Sequence, residues 1–201
     1  AYRGGDLSVA YPLMRGIPPL MVCFLSALVF GEILSLSSWV GVLILITGIL
    51  SLGWEGLRRG ALRGGSARFV AMQIGIIVTY TLVDASGVRA AGNPFAYIAW
   101  QFALTAVVLL PFARDSLRPI VTAGWRPWLV VLAGGTCTVG SYGIALWAMT
   151  QAPVAMVAAL RETSILFGAA FGAIFLGERF GAQRWVAVAL MLAGVVVLRL
   201  A

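Results

Sequence analysis

Apolar residues in this chain run on in long blocks, and short polar breaks separate one block from the next. A helix needs about 20 mainly apolar residues to cross the hydrocarbon core of a bilayer. None of the blocks shows the period-two alternation of a barrel strand. We therefore predict an all-α polytopic membrane protein with seven transmembrane helices, of which the second needs a few flanking residues to reach full length. The helices are expected near 6–30, 39–54, 68–88, 95–113, 128–149, 153–176 and 185–200.

Composition agrees with a membrane protein and excludes several classes of function. The 201 residues are 61% hydrophobic and 10% charged, whereas soluble domains are about 25% charged. The net charge of +7 comes from arginine. Most arginines fall in short loops, so membrane topology and lipid headgroups explain them better than nucleic acid does. There is no histidine, which removes the commonest catalytic and metal-binding patterns. We predict no catalytic residue, no metal and no cofactor.

The first and last parts of the chain repeat one another. A shift of 146 residues, the difference between 15 and 161, superposes arginines, Gly-Glu pairs, tryptophans and glycines. The superposed residues are Arg15 with Arg161, Gly31-Glu32 with Gly177-Glu178, Trp39 with Trp185, and Gly48 with Gly194.

This register predicts a five-helix unit used twice. Residues 1–54 would hold the last two helices of the first repeat, 55–67 the loop between repeats, and 68–201 the complete second repeat. A unit with an odd number of helices inserts upside down relative to its twin, so we predict inverted repeats. We also expect three further helices before residue 1.

Two pairs of segments resemble a known family. They are "YPLMRGIPPLMVCFLSALVFGE" with "SSWVGVLILITGIL", and "APVAMVAALRETSILFGAAFGAIFLGE" with "RWVAVALMLAGVVVL". The chain resembles the drug/metabolite transporter superfamily, in the ten-helix branch built from two EamA-like domains, and it covers helices four to ten. The resemblance implies a secondary transporter of small metabolites, a multi-pass protein of the bacterial inner (plasma) membrane.

Membrane orientation stays open. Arginines concentrate in the loops 55–67, 114–127 and 177–184, which the helix count places on one side. The positive-inside rule makes that side cytoplasmic and leaves the C-terminus outside. The resemblance implies instead that both termini are cytoplasmic.

Four ionisable residues fall inside predicted helices: Arg15, Asp84, Arg161 and Glu162. Charges at this depth are costly and mark functional sites or ion pairs. Arg161 could bind substrate or pair with Asp84 or Glu162. An inward arginine would bind a carboxylate or phosphate, and Asp84 or Glu162 could exchange a proton.

Polar and small residues follow one face of most predicted helices, so we expect those faces to line a substrate cavity rather than to meet lipid. The candidate cavity residues are Tyr11, Arg15, Tyr80, Asp84, Tyr97, Trp100, Gln101, Thr138, Tyr142, Trp147, Arg161, Glu162 and Ser164.

We therefore expect a transporter of a small polar or anionic metabolite that works by alternating access. The alternatives are a non-transporting membrane assembly partner and, less favoured, a membrane-embedded transferase. The lack of histidine and the short loops argue against the transferase. The expected partners are a small-molecule substrate and membrane lipid, not nucleic acid. The sequence leaves open whether protons are the coupling ion and whether the chain forms a homo-oligomer.

Overall fold

The chain folds into α-helices throughout the parts that the computed structural model describes, which are residues 7–58, 66–122, 124–176 and 181–200. Six of these helices are long and apolar enough to cross a membrane. They are α1 to α5 and α8, and each overlaps one of the predicted spans. The prediction of an all-α polytopic membrane protein is confirmed. The helices are α1 (Leu7–Phe30), α2 (Leu36–Arg58), α3 (Ser66–Ala90), α4 (Pro94–Thr122), α5 (Trp125–Ala148), α6 (Val154–Arg161), α7 (Ser164–Leu176) and α8 (Ala182–Leu200).

The span predicted at 153–176 is not one helix, and on this point the sequence prediction is wrong. It consists of α6, with 8 residues, and α7, with 13 residues. At the break, the backbone N–H groups of Glu162 and Thr163 bond to carbonyls three residues back, at 3.1 Å each. The Thr163 hydroxyl also donates to the Leu160 carbonyl at 2.7 Å. A threonine that bonds its own backbone competes with the α-helical ladder, and the local result is a tighter 3₁₀ turn.

The predicted loop at 114–127 is also largely wrong, because α4 continues to Thr122. The sequence ARDSLR at 113–118 contains alanine, leucine and two arginines, which are good helix formers, and the helix continues past residue 119, a proline, before it ends. A helix that leaves the apolar block can therefore continue in a polar segment.

Packing divides the chain into two compact units, one made of residues 1–83 with 152–201 and the other of 84–151. The division falls inside α3. The predicted repeat boundary at 55–67 concerns duplication rather than packing, and it stays a prediction. Residues 59–65 of that loop lie outside the described parts of the chain.

In the first unit, α2 is the central helix and packs against α1, α6 and α8. Alanines on α6 allow close approach of the helices, which is how membrane helices gain packing energy. The buried core comes from α1, α2, α6 and α8, and comprises Cys23, Val42, Leu45, Ile46, Ile49, Ala155, Ala159, Met191 and Leu198.

Glycines bring the backbones of α2 and α8 into contact. A Cβ atom on Gly194 would lie 2.8 Å from the carbonyl oxygen of Gly41, and one on Gly48 would lie 2.9 Å from that of Ala187. The earlier residue of α2, Gly41, meets the later residue of α8, Gly194, and Gly48 meets Ala187. The two helices are therefore antiparallel. A shift of 146 residues exchanges the two contacts, Gly41 with Ala187 and Gly48 with Gly194. This is the arrangement that a two-fold axis between α2 and α8 would produce, and the inverted repeat itself stays a prediction.

In the second unit, α4 packs on α5, and the end of α3 contributes to the same unit. Ile98 on α4 lies against Gly143 on α5. Arg89 donates from Nε to the Met149 carbonyl at 2.8 Å, at the C-terminal end of α5. Asn93 caps α4, because its Oδ1 accepts from the backbone N–H groups of Phe95 and Ala96.

The first Gly-Glu pair ends one helix and caps another. Gly31 has φ 66°, a conformation that favours glycine, and its N–H bonds to Ala27 at the end of α1. The Glu32 carboxylate then accepts the backbone N–H of Val154, at the start of α6, at 2.8 Å. The matching pair Gly177-Glu178 lies outside the described residues.

Candidate functional site

One group of the predicted site residues lies in the first unit, and we call it the arginine centre: Tyr11, Arg15, Arg161 and Glu162. Nη1 of Arg15 lies 3.4 Å from Oε1 of Glu162 and donates to it. The guanidinium also lies over the Tyr11 ring, 5.7 Å from its centroid. Glu162 accepts from Nη1 alone, so it does not use the other N–H groups of Arg15. The Arg15 side chain is 36% exposed.

The break between α6 and α7 places Glu162 in this group. Glu162 follows the last residue of α6 and is 8% exposed, and Arg161 is its chain neighbour. Its Oε2 atom is buried and has no hydrogen-bond partner among the described residues. The arginine centre therefore holds two cations, one anion and an uncompensated carboxylate oxygen.

A second group of predicted site residues lies in the second unit, and we call it the Asp84 centre: Asp84, Tyr97, Gln101 and Tyr142. Asp84 is 8% exposed. Its Oδ1 accepts from the Tyr97 hydroxyl at 3.1 Å, and its Oδ2 accepts from the Tyr142 hydroxyl. Gln101 donates from Nε2 to both oxygens at 3.0 Å. Three neutral donors from α4 and α5 thus hold one carboxylate of α3.

The orientation of the Gln101 amide follows from these contacts. A flipped amide would set Oε1 against the Asp84 carboxylate, so Nε2 must face it. Oε1 then points away from Asp84, and it is buried without a hydrogen-bond partner among the described residues. This leaves one carbonyl acceptor of the Asp84 centre available for a donor.

Sequence reasoning missed Gly87, which makes room for the Asp84 centre. A Cβ atom on Gly87 would lie 2.5–2.7 Å from three atoms of the Tyr97 phenol. The signal was its position three residues after Asp84, on the same face of α3. It also missed the helix break at Glu162, for which the signal was the polar run RETS at 161–164 within an apolar block.

The structure brings most of the predicted residues into these two groups and leaves the others outside them. Tyr80 lies in the neighbourhood of Arg15. The Thr138 hydroxyl donates to the Gly134 carbonyl of its own helix at 2.8 Å. Ser164 is exposed at the start of α7, and Trp100 and Trp147 expose 68% and 45% of their surface.

The pairing considered for Arg161 stays a prediction, and the contacts of the two carboxylates are as follows. Glu162 forms its ion pair with Arg15, on another helix, and the donors to Asp84 are neutral. Within the described parts of the chain, no three His, Cys, Asp or Glu residues are grouped as a metal site would need.

Comparison with known proteins identifies the family of the chain. The family model described as "EamA-like transporter family" matches residues 67–200, which include α3 to α8. A curated relative from Sinorhizobium sp., described as an uncharacterized transporter in the cobO 3' region, is 36% identical over 73 residues. The aligned stretch covers 36% of this chain and 52% of the relative, so the match spans about half of that protein. No solved structure matches the chain.

Proposed function

Because this chain belongs to the EamA-like transporter family, we propose that it carries a small anionic metabolite across the inner membrane of a bacterium by alternating access. A multi-pass membrane transporter is the function class that the family and the relative support, rather than an enzyme. The nature of the cargo and of the cycle is our proposal. A small-molecule substrate is the partner it requires.

The observation that carries the proposal is the arginine centre. Two arginines, Arg15 and Arg161, lie beside one carboxylate, Glu162, within a membrane-spanning unit. An arginine within the membrane-spanning part of a protein attracts a carboxylate or phosphate, and its guanidinium group can bind either through two parallel hydrogen bonds. Arg15 engages Glu162 through one long contact. Its remaining donors suit a second anion.

The helix break supports alternating access. Transporters commonly bind their substrates where transmembrane helices are discontinuous, because backbone groups and helix ends become available there. Here the break falls at Glu162 and Thr163, directly after Arg161 in the sequence. A short 3₁₀ turn between two helices can also act as a hinge.

The test is uptake of radiolabelled lactate, inorganic phosphate, glutamate and choline into proteoliposomes that contain the purified protein. We expect saturable uptake of one or more anions and none of choline. A charge-assisted hydrogen bond is worth about 1.5–3 kcal/mol. Arg15→Gln and Arg161→Gln should therefore weaken anion uptake about ten- to a hundredfold.

Arg199→Gln is the matched control, because it removes an exposed arginine near the end of α8 and should transport like the wild type. Size-exclusion chromatography in detergent verifies that each variant is folded. Uptake of choline alone, or anion uptake that both arginine variants leave unchanged, would refute the proposal.

A further inference from the structure

We propose that Glu162 carries the coupling proton of this transporter and that it competes with the cargo anion for Arg15. The proposal rests on the anion transport proposed above and names its coupling site. Both Asp84 and Glu162 lie in the membrane-spanning part and could in principle exchange a proton. Their surroundings separate them.

The two oxygens of Glu162 are poorly compensated. Oε1 is 3.4 Å from the Arg15 donor, whereas charge-assisted N–H···O bonds are usually about 2.7–2.9 Å long. Oε2 is buried with no hydrogen-bond partner among the described residues. An ionised oxygen in this position has lost its hydration without replacement. A proton on Oε2 removes that charge and leaves Oε1 as a neutral acceptor.

The charged and titratable groups near Glu162 come from three helices, α1, α3 and α6. Arg15 and Tyr11 come from α1, Arg161 is the last residue of α6, and Tyr80 of α3 lies in the neighbourhood of Arg15. The described side chains of α2 and α7 include no ionisable group. Two arginines therefore lie beside Glu162, and protonation of Glu162 removes the anion that pairs with Arg15.

Asp84 has the opposite surroundings. Each of its oxygens accepts two contacts, so three donors occupy the directions in which a proton or another donor would approach. To take up a proton, Asp84 would have to displace a donor. We assign it the role of holding α3, α4 and α5 together, not that of moving protons.

Competition for Arg15 couples the proton to the anion. While Glu162 is ionised, it neutralises Arg15, and the empty carrier needs no cargo to compensate that charge. When water on one side delivers a proton to Oε2, Arg15 loses its anion and binds the carboxylate or phosphate of the cargo. On the other side the anion leaves, the proton returns to water, and the Arg15–Glu162 pair forms again.

This cycle fixes the stoichiometry for a monoanion. One proton and one monoanion enter the site together, so the loaded and the empty site have equal net charge. Transport of a monoanion should then respond to a pH gradient and not to membrane potential. Because linkage is reciprocal, a bound anion must also strengthen proton binding at Glu162.

The first test needs no cargo. Infrared difference spectra between acidic and alkaline buffer are recorded on the purified protein in detergent. We expect a carboxylic acid C=O band at the high frequency typical of an acid with few hydrogen bonds. Glu162→Gln should remove this band, and Asp84→Asn should retain it. If Asp84→Asn does not fold, Tyr97→Phe serves in its place, because it removes only one of the donors to Asp84. A band that survives Glu162→Gln, or that disappears only with the Asp84 or Tyr97 variant, would overturn the assignment.

The second test uses lactate as the monoanion and pyranine, a pH-sensitive dye, inside proteoliposomes. Wild-type protein should acidify the lumen as lactate enters, and an imposed pH gradient should drive accumulation. In Glu162→Gln, gradient-driven accumulation should fall about tenfold or more, within the range of ordinary coupling, while exchange of labelled for unlabelled lactate persists. Accumulation that still follows the pH gradient in this variant would overturn the proposal. If lactate is not transported, the experiment is run with whichever anion of the uptake panel is transported. If none is, the proposed function fails, and the infrared spectra alone decide the proton site.

Discussion

The Asp84 centre and the arginine centre each bury a carboxylate to the same extent, 8% exposed, and they compensate it in different ways. Asp84 accepts from three neutral side chains on two other helices. Glu162 has one cation at 3.4 Å and one oxygen with no hydrogen-bond partner among the described residues. The first arrangement fixes a carboxylate in one geometry, and the second leaves it able to exchange its partner.

The difference shows that burial alone does not identify a working acid in a membrane protein. An intramembrane carboxylate is costly wherever it lies. Directional hydrogen bonds from neutral groups offset that cost without a mobile charge, so such a residue can be structural. A carboxylate that shares an arginine with an incoming anion is stable only while nothing competes. The number of donors to each oxygen, rather than its depth, separates the two roles.

The largest effect is expected from Asp84→Ala, which removes the acceptor of the Asp84 centre. The Tyr97 hydroxyl, the Gln101 amide and the Tyr142 hydroxyl would each lose the bond to Asp84. At about 1 kcal/mol or more for each orphaned donor, the free energy of unfolding should fall by about 3 kcal/mol. Titration with SDS in mixed micelles, followed by circular dichroism, measures this loss.

Thr138→Ala is the control for that experiment. Thr138 lies on α5 with Tyr142, and its hydroxyl bonds only the backbone of its own helix among the contacts described. Its removal should change the free energy of unfolding by no more than about 0.5 kcal/mol. Equal losses in Asp84→Ala and Thr138→Ala would mean that the neutral donors do not stabilise the second unit.

A smaller effect is expected when the shape of the Asp84 centre is changed but its acceptor is kept. In Gly87→Ala, the added methyl group would lie 2.5–2.7 Å from the Tyr97 phenol and push it away from Asp84. We expect a loss of about 2 kcal/mol, as for other overpacked sites, and a weakened bond between Tyr97 and Asp84. The same SDS titration measures the loss.

Gly75→Ala is the matched control, because Gly75 lies on the same helix and a Cβ atom there would have no neighbour within 4 Å. Alanine is the better helix former, so this change should be neutral or slightly stabilising. A loss in both variants would point to α3 itself rather than to the contact with Tyr97.

The sequence predicted the membrane class and the helix positions well, because the length of an apolar run is a local property. All eight members of the two centres were among its candidates, since polar residues on one face of an apolar helix are conspicuous, and their role as cavity lining stays a prediction. Tyr97 and Gln101, four residues apart on α4, are an example. It could not predict which arginine pairs with Glu162, because Arg15 is 147 residues away in the chain and only packing brings the two together.

The helix break at Glu162 shows a second limit of local patterns. The segment 153–176 is continuously apolar except for RETS, and it contains no proline after Pro153 to mark an interruption. In α1, by contrast, the helix runs on through Pro12, Pro18 and Pro19. Proline is tolerated in membrane helices when neighbouring groups satisfy the freed carbonyls. Residue propensities alone would therefore predict a break in α1, which has the prolines. The break lies instead between α6 and α7, where the Thr163 side chain bonds to the backbone.

Glu162→Gln should change the stability least of all these substitutions, although it should have the largest effect on proton coupling. Glu162→Gln keeps an oxygen acceptor for Arg15 and removes the charge that lacks a partner. The contact it weakens is a single long one to a partly exposed arginine, so the free energy of unfolding should change by no more than about 1 kcal/mol. Asp84→Asn, the same carboxylate-to-amide change in the other centre, places an NH₂ group among three donors and should cost more. SDS titration of the two variants side by side makes the comparison. If Glu162→Gln is more destabilising than Asp84→Asn, then the Arg15–Glu162 pair stabilises the fold. The contrast between a fixed and an exchangeable carboxylate would then fail.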